Sequence, residues 1–134
     1  MKSKIGLITL GVRDIKKAKS FYKGLGFKIH GEEQEGEDMV MFESEGTWLG
    51  LYLWDELARD AQVNDLSEGF RGITLAHNEP TKEDVNRVLN EARALGAEIV
   101  KEGREVSWGG YSGYFKDLDG HLWEIAMNPF TDLT

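Results

Sequence analysis

Two stretches of this chain repeat the same order of patterns, and this internal repeat limits the folds that the sequence can form. ITLGVRDIKKAKSFYKGLGFKI (8–29) and ITLAHNEPTKEDVNRVLNEARALGAEI (73–99) both read as strand, helix, Leu-Gly and strand. A hairpin pattern follows each of them, MFESEGTWLGLYL (41–53) and FKDLDGHLWEIAM (115–127), with glycine closing an acid-x-acid turn. Each half of the chain is therefore predicted to be a βαβββ module.

The helix boundaries carry capping signals in both halves. Asp14 can accept hydrogen bonds from free N–H groups at the start of the first helix, and Gly26 ends it. In the second half, Thr81 and Asp84 form a capping-box-like start, and Gly96 ends the helix. The two helices therefore match in role, although the second is longer.

The length of the chain favours one domain made of the two modules. At 134 residues it is long enough to bury a core and short for two independent domains. We place module one at about 1–62 and module two at about 69–130 of a single domain, 1–134. Two such units would bury their sheets and helices against each other around a pseudo-twofold axis, which is an α+β fold.

Strand alternation predicts which side chains face away from the helices. Leu7, Thr9 and Gly11 should lie on the face opposite to the first helix. We call this surface the open face of its module. The other residues predicted on the open faces are Trp48, Gly50, Tyr52, Trp54, Gly72, Thr74, Ala76, Leu122, Glu124 and Ala126. Small residues with scattered aromatics and one acid suit a concave ligand-binding sheet, although a packed interface could use the same set.

Charge and composition exclude several classes of function. The formal net charge of −8, with no basic cluster, argues against nucleic acid and anionic lipid as partners. The chain has no cysteine, which rules out disulfides and thiolate sites. The apolar run in MKSKIGLITLGV ends at Arg13, too early for a signal peptide or a membrane span. We expect a cytoplasmic protein.

The repeat resembles the glyoxalase, bleomycin-resistance and extradiol dioxygenase superfamily, the vicinal oxygen chelate fold. The resemblance is carried by ITLGVRDIKKAKSFYKGLGF near the start and GGYSGYFKDLDGHLWEIAMNPF near the end, and it covers nearly the whole chain. It implies paired βαβββ modules that form a curved mixed sheet with helices on its outer face. It also implies a homodimer and, in many members, a divalent metal at the centre of the sheet.

The same resemblance implies where metal ligands would stand. The family positions fall on Leu7, Gly50, Gly72 and Glu124, and the internal repeat pairs them in the same way. Three of these residues have no donor atom in the side chain, and one glutamate with waters binds a catalytic ion too weakly. No metal or other cofactor is therefore predicted. Ligands from His30, His77 or His121 are not expected, because none shares the predicted face of Glu124.

We therefore predict a metal-independent protein that binds a small hydrophobic or aromatic organic molecule in the sheet concavity, as the drug-binding resistance proteins do. Glu124 would hold the polar end of the ligand. The other predicted contacts are Trp48, Tyr52, Trp54, Trp108, Tyr111, Tyr114 and His77. The segment EVSWGGYSGYF (105–115) supplies three of the aromatics beside glycines that permit a bend.

Two alternatives remain open on the sequence. The first is a lyase or isomerase of glyoxalase type, with Glu124 as general acid or base, with or without a divalent metal, and Tyr111 or His77 as helper. The second is a structural role, in which Glu124 pairs with Lys116 and the aromatics fill an interface between modules or in a dimer. Fold membership cannot choose among them, because function depends on the site.

Overall fold

The computed structural model describes residues 1–64, 69–71 and 73–134. The chain divides into two compact units, Met1–Glu68 and Gly69–Thr134. In the described part of each unit lies a mixed sheet of four strands with a helix connecting its first two strands. The predicted α+β class and the two βαβββ modules are thereby confirmed, while the single domain and the pseudo-twofold axis stay predictions.

The first module has its strands in the order β1-β4-β3-β2, with β1 parallel to β4 and the other neighbours antiparallel. Its elements are β1 (Leu7–Val12), α1 (Ile15–Gly24), β2 (Lys28–Ile29), β3 (Met39–Glu43), β4 (Trp48–Leu53) and α2 (Trp54–Ala61).

The second module repeats this topology in the order β5-β8-β7-β6, with β5 parallel to β8. Its elements are β5 (Leu75–Asn78), α3 (Lys82–Ala94), β6 (Glu98–Glu105), β7 (Tyr111–Lys116) and β8 (Leu122–Met127). The register along β6 is irregular on both sides of Lys101, which is the position of β-bulges.

The capping residues act as predicted. The Asp14 carboxylate accepts a hydrogen bond from the Lys17 amide at 3.0 Å, and the Thr81 hydroxyl accepts one from the Asp84 amide at 3.1 Å. Gly26 has φ of 107° and Gly96 has φ of 102°, a left-handed backbone that glycine adopts without strain. Capping chemistry in the sequence therefore fixes both helix starts and both helix ends.

Each module has its own apolar core between helix and sheet. The core of the first module is aromatic, with Tyr22 in edge-to-face contact with Phe21 and Phe27. In the second module Phe115 and Trp123 stack with their ring centroids 6.2 Å apart. The fully buried large side chains of both modules are Tyr22, Phe42, Phe115, Leu51, Leu89, Ile125, Val12 and Val85.

The sequence WDELARDAQ (54–62) predicts a short helix with Leu57, Ala58 and Ala61 packing beneath it. Helix α2 forms there, but it is poorly anchored. It contacts β1 and β4, yet none of its residues is buried. Ala61, predicted to pack beneath the helix, is exposed, because the helix ends there and Gln62 turns into a left-handed conformation with φ of 57°. Among the described residues, no helix combines the length and apolarity needed to cross a bilayer.

Candidate functional site

The open face of the first module is built by three rows of residues across β1, β4 and β3. Leu7 stands opposite Trp48, Thr9 opposite Gly50 and Gly11 opposite Tyr52. The residues that point to the other face of β1 and β4 include four buried ones, Leu10, Val12, Leu49 and Leu51. A side chain at Gly50 would meet Thr9 at 3.3 Å and Leu7 at 3.4 Å, so these three residues share one face as alternation predicts.

Trp48 lies on this face with a histidine against it. The His30 and Trp48 ring centroids are 4.8 Å apart at an interplanar angle of 50°. The Nδ1 atom of His30 is 2.8 Å from Oε1 of Glu43. A hydrogen bond with His30 is the main reason why the pKa of Glu43 lies below its usual value, with the charge of Lys28 contributing. Trp48 is therefore held by an imidazole that a carboxylate orients.

Trp54 is the first residue of α2, and Tyr52 lies near the end of β4, just before the helix. A side chain at Gly11 would approach Cε3 of Trp54 to 3.1 Å, so the absence of a side chain there makes room for the indole. The Arg13 guanidinium lies over the Trp54 ring, 4.4 Å from its centroid. Burial raises the pKa of Tyr52, and the nearby carboxylates of Asp38, Asp60 and Glu56 raise it further. Both aromatics thus help to hold α2 against the sheet.

The open face of the second module carries a polar row. Ala76 stands opposite Glu124, Glu124 opposite Tyr114, and Tyr114 opposite Lys101, on four neighbouring strands. A side chain at Gly113 would meet Leu89 of α3 at 2.6 Å, so Gly113 faces the helix. Tyr114, the next residue along β7, therefore faces away from α3.

The two central residues of this row interact directly. Burial raises the pKa of Tyr114, and the charge of Glu124 raises it further. At neutral pH the tyrosine therefore keeps its proton and is a possible donor beside the Glu124 carboxylate.

Lys101 brings a positive charge to the end of the row. Its Nζ atom lies 3.3 Å from Oγ of Ser112 and 5.2 Å from the centroid of the Tyr114 ring. Ser112 is 1% exposed. Within the described residues, no carboxylate forms an ion pair with Lys101. A half-buried ammonium held by a hydroxyl and an aromatic face keeps its charge available to a bound anion.

The structural alternative for Glu124 receives no support from its neighbours. Lys116 stands opposite Leu122 on the same face. In the part of the chain that the structure describes, Lys116 and Glu124 are not joined by an ion pair. The residue opposite Glu124 on β7 is instead Tyr114.

Tyr111 and His77 are not brought together with Glu124. The Tyr111 hydroxyl donates to Oδ1 of Asn86 at 3.0 Å, so this ring lies on the α3 side of the sheet. His77 stands opposite Ile125, which is buried under α3, and its Nε2 atom is 3.0 Å from Oε1 of Glu79. The roles predicted for these two residues have no geometric support from the Glu124 row.

Trp108 lies in the turn between β6 and β7 and is 44% exposed. Its ring covers Gly110 so closely that a side chain at that position would overlap the indole. The Phe130 ring covers Gly109 in the same way, at 2.9 Å from a side-chain carbon placed there. Trp108 and Phe130 thus pack on the glycines of their own turn, and no contact joins Trp108 to Glu124.

The residues at the four family metal positions do not fit a catalytic metal. Leu7 and Gly50 offer no donor atom, and Gly72, which is outside the described residues, is also a glycine. Of these four residues, Glu124 alone has oxygen ligands in its side chain. Among the described residues, no three His, Cys, Asp or Glu side chains are grouped so that they could hold a metal ion. The donor set is too poor for zinc, iron or nickel.

Sequence reasoning missed Lys101, Ser112 and the role of His30. Lys101 belongs to the charged run KEGRE (101–105), which is typical of a solvated strand. Gly103 in that run is a signal of an irregular strand, because a glycine inside a strand often marks a bulge. Ser112 could have been found by alternation, since it is two residues from Tyr114 on the same strand.

Comparison with known proteins agrees with this architecture. The family model described as glyoxalase/bleomycin resistance protein/dioxygenase superfamily matches residues 4–125. The chain is 32% identical over 129 residues to the metallothiol transferase FosB of Shouchella clausii, covering 96% of this chain and 82% of that protein. It is 26% identical over 125 residues to the fosfomycin resistance protein FosX of Listeria innocua, covering 93% and 90%.

A solved structure gives the same result for the fold. The crystal structure of a glyoxalase-related enzyme from Fulvimarina pelagi superposes with a TM-score of 0.88 at 28% identity, covering 99% of this chain and 94% of that one. On these matches, the chain belongs to the glyoxalase/bleomycin resistance protein/dioxygenase superfamily.

Proposed function

We propose that this protein binds a small organic acid on the open face of the second module, without a metal. The observation that carries the proposal is the row Lys101, Tyr114 and Glu124, in which an ammonium without a carboxylate partner and a carboxylate flank one aromatic ring. An aromatic or hydrophobic ligand body would pack on Tyr114. Its acidic group would meet Lys101, and a hydroxyl or amine would donate to Glu124.

The charge of the chain makes the attraction of an acid a local property of Lys101. The protein has a formal net charge of −8, so its overall field repels anions, and an acidic ligand would depend on the ammonium of Lys101 to bind. Two relatives are named for fosfomycin resistance or metallothiol transfer, and fosfomycin therefore belongs among the compounds to be tried.

The experiment is a thermal shift with matched pairs of compounds. Fosfomycin, small aromatic acids and the neutral amides of those acids are added to wild type, Lys101→Met, Tyr114→Phe and Glu124→Gln. A ligand that binds only the native state at a hundredfold excess over its Kd stabilises by about 2.7 kcal/mol. We expect wild type to prefer acids to amides, and Lys101→Met to lose that preference.

Lys16→Met is the matched control, because it removes the same charge from an exposed position on α1. It should respond to the acids as wild type does. If no acid stabilises wild type, or if Lys101→Met responds to acids as wild type does, the proposed function is wrong.

An enzyme is the second candidate, and the position of Tyr114 directly opposite Glu124 favours it. A carboxylate with a phenolic donor can accept a proton from a bound substrate while the phenol stabilises the developing charge. The name of the transferase relative is consistent with chemistry on this fold. If Glu124→Gln keeps ligand affinity but loses all conversion of the ligand, as followed by NMR, Glu124 is a catalytic base; if only affinity changes, the protein is a binding module.

A further inference from the structure

Strand β6 brings a second cation to the face of the second module that carries Lys101. Lys101 stands opposite Tyr114, and Arg104 stands opposite Ser112, so three steps along β6 match two steps along β7. In a regular strand, side chains three residues apart point to opposite faces. The extra residue of a β-bulge cancels this alternation, and Lys101 and Arg104 therefore share one face.

The contacts of its neighbours on β6 support this orientation of Arg104. A side chain at Gly103 would overlap Oδ1 of Asn86 on α3. Glu105 forms an ion pair with Lys82, which is also on α3. Because Gly103 and Glu105 both face α3, Arg104 between them faces away from the helix.

Neither cation is paired with a carboxylate in the part of the chain that the structure describes. Arg104, like Lys101, forms no ion pair with the described residues. Its row across the sheet runs through Ser112 and Ala126 to Asn78 and contains no acid. The rows of the two cations are two residues apart on β7, which is a separation of about 7 Å. Two positive charges without acidic partners thus stand side by side on this face.

We propose that Arg104 binds a second acidic group of the ligand, which makes dicarboxylic acids the molecules that this face prefers. One carboxylate meets the ammonium of Lys101, and the other meets the guanidinium of Arg104, whose parallel N–H groups match two carboxylate oxygens. The body of the ligand packs on Tyr114. The spacing of the two rows suits two acidic groups on one small ring. This inference rests on the proposed binding of an organic acid and narrows it to acids with two carboxylates.

The test compares isophthalate and terephthalate with their monoamides, which have the same size and only one carboxylate. Isothermal titration calorimetry at neutral pH gives the affinities for wild type, Lys101→Met and Arg104→Met. We expect at least one diacid to bind wild type about fivefold more tightly than its monoamide, the upper range for an exposed ion pair. Arg104→Met should lose this difference and keep the wild-type affinity for the monoamide. Arg104 is exposed, so its replacement should leave the Tm unchanged.

Lys16→Met is again the control, because it removes one positive charge from the first module and should keep the preference for the diacid. Diacids that bind wild type no more tightly than their monoamides overturn the role of Arg104, and so does a preference that survives in Arg104→Met. A preference lost equally in Lys16→Met reflects the total charge and overturns it as well. The proposed function still stands in these cases if the monoamides bind wild type and lose affinity in Lys101→Met. If wild type binds neither kind of compound, the role of Arg104 is wrong, and the thermal shifts with the other acids decide the proposed function.

Discussion

Tyr114 and Glu124 stand directly opposite each other in the antiparallel register of β7 and β8, on the face of the sheet that points away from α3. This pair places a phenol beside the one acid of an apolar strand. It also links the titration of one residue to the charge of the other.

Replacing Glu124 with glutamine should lower the pKa of Tyr114. Burial and the Glu124 charge both raise that pKa in the wild type; the substitution removes the charge and leaves the burial, so the pKa falls but stays above its ordinary value of about 10. Tyrosinate absorbance against pH measures this change, with Tyr114→Phe subtracted as the blank. An unchanged titration in Glu124→Gln would show that the two side chains are not coupled.

The same pair predicts the direction of a stability change at high pH. Because the folded-state pKa of Tyr114 is raised, the folded protein keeps the phenolic proton at pH values where the unfolded chain has lost it. This contribution is complete below about pH 10 and is lost as the pH rises through the folded-state pKa. Urea unfolding of wild type and Tyr114→Phe at several alkaline pH values should show the steeper loss in wild type.

Purified protein should carry no stoichiometric divalent metal, and zinc, nickel or manganese should not raise its Tm. The reason is the donor set: Leu7 and Gly50 have no ligand atom at the family positions, and one carboxylate is too few. Metal analysis by mass spectrometry and thermal shifts with each ion measure this. A stabilisation by one of these ions that disappears in Glu124→Gln would contradict the metal-independent proposal.

Removing the side-chain cap of α1 or of α3 should lower the free energy of unfolding. Asp14→Ala removes the acceptor for the Lys17 amide, and Thr81→Ala removes the acceptor for the Asp84 amide, at a cost of about 1 kcal/mol each. Urea unfolding measures the free energy. Asp14→Asn and Thr81→Ser keep an acceptor oxygen and should lose much less; equal losses in the alanine and control variants would refute the capping role.

Gly113→Ala should destabilise the second module and disturb Lys101. A methyl group there would meet Leu89 at 2.6 Å and the Lys101 carbonyl at 2.7 Å, and overpacking of this kind costs about 1 to 3 kcal/mol. The preference of the protein for acids over amides should weaken together with its stability, because β6, which carries Lys101, must shift. Gly6→Ala, with no atom within 4 Å of the added carbon, is the control and should change neither unfolding nor binding.

Local sequence signals were sufficient to predict the modules. Asp14, Thr81, Gly26 and Gly96 set the helix boundaries through capping and left-handed backbone, which depend on a few adjacent residues. Alternation then separated the buried residues of β1 and β4 from the open face. Such features transfer from sequence to structure because each of them depends on neighbours along the chain.

The site was predicted less completely because its residues depend on register between strands. Tyr111 and Tyr114 belong to one aromatic segment of the sequence, but an odd spacing on β7 sends Tyr111 towards Asn86 on α3 and Tyr114 towards Glu124. Lys101 reaches the row through an irregular stretch of β6, and the residue opposite a bulge cannot be counted from sequence alone. Glu124 was found because an acid in an apolar strand is conspicuous in any register.

Helix α2 has no buried residue. Its first turn is held by Trp54, which lies against Gly11 and Arg13, and by an ion pair between Arg13 and Asp55 at 3.7 Å. Opening it exposes little apolar surface, so it should detach at a fraction of the free energy that unfolds the sheet. In deuterium exchange its amides should therefore be replaced well before those of β1 and β4. The protein can then uncover Gly11 and Tyr52 by fraying one short helix, while the strands that carry them remain paired.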